Sequence, residues 1–209
     1  RKAALVQRMM QSPPPNIDAL LMEGTNLGSN KTTQSEADLE DDFIALFRAT
    51  LGRVFVCWSA QNIDRTVTLY RACLKSGRTL VVDLYTAEVL ELLADSGRLP
   101  KAGWNNLKVV ITRAFARLYR AKGREDFVNR MAAHCISAAR LVENAEKWVI
   151  MIRPSLMRDM ILNGVNPNPD DAWSYSQWRG YLKQPDGVAL KQWFDSGGAR
   201  ATHIHTSGH

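Results

Sequence analysis

The chain has 209 residues, a formal net charge of +6 and a hydrophobic fraction of 45%, enough apolar material for one large core or one and a half small ones. Its pI near 9.4 leans toward acidic partners such as nucleic acid. No apolar run approaches the ~20 residues that span a bilayer, and the start, RKAALVQRMM, reads as a basic amphipathic helix, so no signal peptide is expected within these residues. The cysteines Cys57, Cys73 and Cys135 are scattered and form no CxxC pair. They read as buried free thiols in a reducing, cytoplasmic compartment. The first residue is not Met and the last residues, HIHTSGH, stop abruptly. Both ends are therefore expected to be cuts inside a longer protein.

Residues 1–11 suit a helix that SPPP at 12–15 ends. Ile17–Met22 is a short apolar run suited to a buried strand, and 28–37 is a polar loop. A helix is predicted from about Glu36 to Leu51, capped by Ser35 or Asp38 and closed by Gly52. A strand–helix alternation follows. Val54–Trp58, Thr79–Leu84 and Leu107–Ile111 are apolar strands. Asn62–Lys75 is a helix with Ile63, Val67, Tyr70 and Leu74 on one face, ending at Gly77, and Thr86–Ala94 is a second helix. This spacing implies parallel pairing through right-handed crossovers. Residues 112–147 read as helical and basic, with Arg113, Arg117, Arg120, Lys122 and Arg124. Trp148–Ile152 is a further strand and Ser155–Leu162 a helix. A loop over 163–171 precedes a strand at Trp173–Ser176. A helix at 187–194 and a last strand at Ala201–His205 complete the pattern. The fold class is α/β: a parallel-rich, Rossmann-like sheet with helices on both faces.

The C-terminal histidines His203, His205 and His209 are the first chemical candidates. Histidines at i and i+2 on a strand share a face, so a metal pair is conceivable; one ring packed inward and another merely hydrogen-bonded fits equally. Thr206, Ser207 and Gly208 offer small side chains and exposed backbone N–H groups, the makings of a phosphate nest. A histidine beside bound phosphate suits general acid chemistry. Glu23 ends an apolar run, where a lone carboxylate needs a partner. Ser59 and Asn62 lie where a strand meets a helix N-terminus and suit either phosphate binding or helix capping. Trp173, Tyr175, Trp178 and Tyr181 suit either base stacking or core packing.

DALLMEGTNLG at 18–28 and THIHTSGH at 202–209 together resemble the borders of the β-CASP region in metallo-β-lactamase-fold nucleases, the family that includes RNase J and the cleavage-factor endonucleases of mRNA 3′ processing. Glu23 matches the acid of the E-x-T strand end. His209 matches the histidine closing the H-x-S-G-H segment, with Ser207 and Gly208 in its phosphate-binding stretch. The segment Trp58–Arg65 is similar to the one after the first strand of the family's α/β insertion. The resemblance implies three regions: 1–29 as the end of a metallo-β-lactamase segment, 30–198 as the β-CASP domain, and 199–209 as the return.

It also implies a zinc-dependent parent enzyme that hydrolyses phosphodiester bonds in RNA, less so DNA. Its HxHxDH zinc motif and other metal ligands are not among these residues. No metal is therefore expected on this chain, which by itself should be inert. Its role would be to clamp nucleic acid and supply the Glu23–His209 pair, with His205, Thr206, Ser207, Gly208, Ser59 and Asn62 on the phosphates. A homo-oligomer is allowed. The alternative is a non-catalytic Rossmann-like binding or assembly module. A nucleotide-dependent oxidoreductase would need a GxGxxG turn after a strand, and none occurs.

Overall fold

Four consecutive apolar residues, Val54–Cys57, form a strand (β1) buried at every position. Such a run can only be satisfied when both faces of a sheet are covered. The computed structural model describes residues 2–19 and 34–206 and shows how the covering is done. The other strands are Thr79–Asp83 (β2), Leu107–Val110 (β3), Cys135–Ile136 (β4), Trp148–Met151 (β5), Ala172–Tyr175 (β6) and Arg200–Thr202 (β7). They form one seven-stranded sheet in the order β4-β3-β2-β5-β1-β6-β7. Every pairing is parallel.

The two-residue period of a strand divides the core in two. Val54 and Val56 point to a cluster with Leu80, Val82, Val149 and Met151, covered by Glu36–Ala49 (α2), Ile63–Ser76 (α3), Leu84–Leu92 (α4), Arg113–Ala121 (α5) and Glu125–Ala132 (α6). Phe55 and Cys57 point the other way, to Val81, Ile150 and Trp173, covered by Pro154–Leu162 (α7) and Pro185–Gly197 (α8). Trp173 stacks on Phe194 of α8 with centroids 4.6 Å apart and planes 8° from parallel. Each fully buried Leu, Val or Phe contributes roughly 1.5–3 kcal/mol.

The described residues fall into two units. One contains the N-terminal helix Lys2–Gln11 (α1). The other spans 34–206 and holds the whole sheet. Residues 199–206, which the resemblance counts with the return, lie in this second unit; Ala201 pairs with Trp173, and β7 is an edge strand.

The helix ends follow capping chemistry. Ser35 and Asp38 form a reciprocal capping box for α2, leaving two fewer backbone donors unsatisfied. Gly77 closes α3 in the left-handed region at φ 73°. Gly52 does not close α2, whose C-cap is Thr50. Gly52 instead donates to the Asp170 carbonyl at 2.8 Å, and a Cβ there would collide with Asp171.

Four further expectations meet the structure. The buried face of α3 carries Arg65, Thr66, Leu69, Tyr70, Ala72 and Cys73, while Leu74 is exposed. The stretch 112–147 is not one helical run: it holds α5, α6, the edge strand β4 and two short 3-10 turns. Its basic residues Arg113, Arg117, Arg120, Lys122 and Arg124 are all exposed. Cys57 and Cys73 are buried, but Cys135 is exposed. The expected strand at 17–22 has no regular structure at Ile17–Ala19, and its remainder lies outside the described residues.

Candidate functional site at the carboxyl edge of the sheet

The two edges of the sheet differ in kind. At the amino ends of β1 and β6, Arg53 and Asp171 are buried and bound to each other. Asp171 Oδ1 accepts from the Arg53 backbone N–H at 2.6 Å, and Oδ2 accepts from Arg53 Nη2 at 2.7 Å. That edge is sealed by structure. The carboxyl edge is open, and it contains the switch in strand order. The chain leaves β1 through α3 toward β2, β3 and β4, and leaves the adjacent β5 through α7 toward β6 and β7. Connections departing in opposite directions from neighbouring strands leave a crevice, where open α/β sheets bind ligands.

A depression of about 410 Å³ lies there, lined by Cys57 at the end of β1, Arg153 and Pro154 after β5, and Tyr175, Gln177 and Tyr181 from β6 onward. Arg153 forms an ion pair with Asp83, the carboxylate that ends β2 and caps α4. Its guanidinium also lies 5.3 Å from the ring centres of both Tyr85 and Phe115, an arrangement that favours a cation. Burial pushes the Cys57 thiol up to about 12, against the opposing pull of Arg153. Burial likewise pushes the Tyr175 phenol up to about 12, with Cys57 and Tyr181 adding. At neutral pH the floor is therefore protonated and uncharged, and the charge of Arg153 is met by Asp83. These groups can donate hydrogen bonds, but none is an activated nucleophile.

Beside this crevice sits a second cluster, centred on Arg65. Its side chain is wholly buried, and Glu36 receives it through a fork: Nε to Oε2 at 3.2 Å and Nη2 to Oε1 at 3.1 Å. Thr68 Oγ1 donates to the same carboxylate at 2.7 Å. Arg65 Nη1 donates to Ser176 Oγ, which in turn donates to the Ile204 carbonyl at 2.6 Å. The segment after β7 is stitched to β6 by Thr202 Oγ1 on the Trp173 carbonyl at 3.1 Å and by the Ile204 N–H on Ser174 Oγ at 3.3 Å. One arginine thus links the N-termini of α2 and α3 to the chain leaving β6 and β7.

The candidate residues divide accordingly. Glu23, Ser207, Gly208 and His209 lie outside the described residues. Thr206 is buried, and its hydroxyl donates to the Gln34 carbonyl at 2.8 Å. His205 is half-buried beside Arg65. Burial first, then the charges of Arg65 and His203, bring its pKa down to about 4. His203 is also lowered, chiefly by burial, and its Nε2 lies 3.2 Å from the Gln177 carbonyl. Both rings are uncharged at neutral pH. Asn62 caps α3, its Oδ1 accepting from the Arg65 N–H at 3.0 Å. Ser59 is exposed, and its Oγ accepts from the Gln61 N–H at 3.3 Å. Trp173 and Tyr175 are core, whereas Trp178 and Tyr181 are exposed.

The residues that organise this edge, Arg65, Glu36, Ser176, Arg153 and Asp83, were not singled out by motif. A charged residue at the end of an apolar strand was the available signal for Asp83 and Arg153, as it was for Glu23. Among the described residues no group of three His, Cys, Asp or Glu is placed to hold a metal, and the Arg65 cation lies beside His205. Zinc sites take three or four such ligands. Among the described residues no helix is long and apolar enough to cross a membrane.

Comparison of the chain with protein-family models and with curated proteins returns no match.

Proposed function

We propose that this chain is the nucleic-acid-holding α/β segment of a metallo-β-lactamase-fold nuclease of the β-CASP type, acting on RNA in preference to DNA. The observation that carries the reading is the junction made by Arg65. It ties the helix start at Asn62–Arg65, whose place after a strand suits phosphate, to the chain at Ile204, a few residues before the Ser207–Gly208 stretch that the resemblance assigns to phosphate contact. The basic pI and a ligand crevice at the switch point agree with it.

In this reading His209 protonates the leaving oxygen, and Glu23 accepts a hydrogen bond from its imidazole and holds the ring charged. Ser207 and Gly208 present backbone N–H groups to the phosphate. His205 and Thr206 shape the approach; the neutral His205 donates a hydrogen bond rather than a charge. Zinc, held by residues outside this chain, would supply hydroxide and charge stabilisation to the whole nuclease.

Hydrolysis of single-stranded RNA by the protein that contains this segment, measured with and without a chelator, tests the proposal. His209→Ala is expected to slow cleavage by about 10²–10⁴-fold, the range of general acid catalysis. Full activity in that variant defeats the assignment. The non-catalytic alternative has one observation in its favour, the uncharged, unactivated groups of the described crevice. It predicts binding with no metal-dependent cleavage.

A further inference from the structure

The segment after β6 spends apolar surface on solvent. Trp178 is 63% exposed and Tyr181 51%, although Trp173 and Tyr175, a few residues earlier, are core. The two exposed rings are held in place. Trp178 lies against the chain at Gly180, where any Cβ would collide with the six-membered part of the indole. Tyr181 stands edge-on to it, with centroids 5.3 Å apart and planes at 90°. The short 3-10 turn Arg179–Lys183 is closed by Tyr181 N–H to the Trp178 carbonyl at 3.2 Å and Gln184 N–H to the Tyr181 carbonyl at 3.1 Å. It sits so tightly on α8 that a Cβ at Gly187 would strike the Tyr181 carbonyl. A random surface tryptophan has no such seat.

The surroundings indicate what the rings receive. Arg179 and Lys183 alternate with the aromatics and are exposed. Arg179 is close enough to His203 to help lower its pKa, so the turn belongs to the same edge as the Arg65 cluster. Tyr181 also forms a wall of the 410 Å³ depression, whose rim carries Gln177, Gln184 and Asp186. The cation in its lining, Arg153, is met by Asp83, so the amides and the carboxylate of the rim suit the hydrogen-bonding edge of a base rather than a phosphate. Exposed aromatic faces interleaved with cations are the physical requirement for holding unpaired bases, since every base has a π-face and a duplex hides it.

We infer that Trp178 and Tyr181 are a stacking platform for unpaired bases of single-stranded RNA, with Arg179 and Lys183 on the flanking phosphates and the neighbouring depression receiving one base edge. This inference rests on the nucleic-acid reading above and names the surface on which it acts.

The test is fluorescence anisotropy with labelled oligoadenosine, the same strand in a duplex, and an abasic strand of equal length. Trp178→Ala is expected to weaken oligoadenosine binding about 5- to 100-fold, the effect of losing one base–aromatic stack. Trp178→Phe should recover most of it, and the abasic strand should bind both proteins alike. Because the ring is exposed, thermal unfolding of both variants should match the parent. Equal binding of oligoadenosine by Trp178→Ala and the parent overturns the platform alone and leaves the nuclease reading standing. A changed oligomeric state at unchanged RNA affinity makes the turn a protein interface and overturns it too. Failure of the parent protein to bind any single strand removes both the platform and the reading beneath it.

Discussion

Replacing Arg65 with Met should be among the most damaging substitutions at the carboxyl edge. The side chain has no exposure, and its removal strands the Glu36 carboxylate that it meets at 3.1–3.2 Å. Breaking a buried pair from one side costs about 3–5 kcal/mol. Glu36 is 20% exposed and keeps Thr68, which places the loss near 3 kcal/mol. The hydrogen bond to Ser176 adds about 1 kcal/mol. A total of about 4 kcal/mol is a large part of the ~5–15 kcal/mol of a typical domain. With a slope near 2 kcal/mol per molar urea, the unfolding midpoint should fall by about 2 M. Arg65→Lys keeps the charge but not the fork and should lose roughly half as much. His205 supplies a second readout: without the neighbouring cation its pKa should rise from about 4, although burial, the first cause, remains. A midpoint shift below about 0.5 M would put Arg65 in the class of an exposed pair, worth at most ~1 kcal/mol, and would refute the hub.

Asp171→Asn leaves buried Arg53 uncompensated and should cost about 3–5 kcal/mol in the same assay. Phe194→Ala removes a fully buried ring that stacks on Trp173, so a loss of about 3–5 kcal/mol is expected. A native thiol titration should find only Cys135 reacting rapidly, because Cys57 and Cys73 are buried and burial raises both thiols; fast reaction of a second thiol would contradict the packing. The pH dependence has a definite sign. His205 titrates near 4 in the folded chain against an ordinary 6.5, so the unfolded chain takes up the proton first. Its contribution is complete above pH 6.5 and is lost as pH falls toward 4. His205→Gln should flatten that part of the stability profile.

The sheet was readable from sequence wherever a strand is apolar on both faces, as in β1, β2 and β5. It was unreadable at β4, two residues long and set inside a basic stretch where helical spacing dominates. The α3 face departs from its apolar pattern for a related reason. Periodicity ranks residues by apolarity, yet Arg65 and Thr66 are buried through distant partners, Glu36 and the Trp58 indole N–H, while Leu74 is left to solvent. Asn62 was legible as a cap because that bond is local. The Arg153–Asp83 pair and the Ser176–Ile204 bond join segments far apart in the chain, and no local pattern announces them. The exposed pair Trp178–Tyr181 separated from the core pair Trp173–Tyr175 only once the strand end at Tyr175 was fixed.

The claim on which the rest depends is that this chain holds single-stranded RNA, and equilibrium binding across a salt series tests it most directly. The account predicts binding at about 50 mM salt that weakens linearly in log–log form, with a slope of about −0.7 per phosphate neutralised. Absence of binding at that salt, or an affinity indifferent to salt, would contradict it.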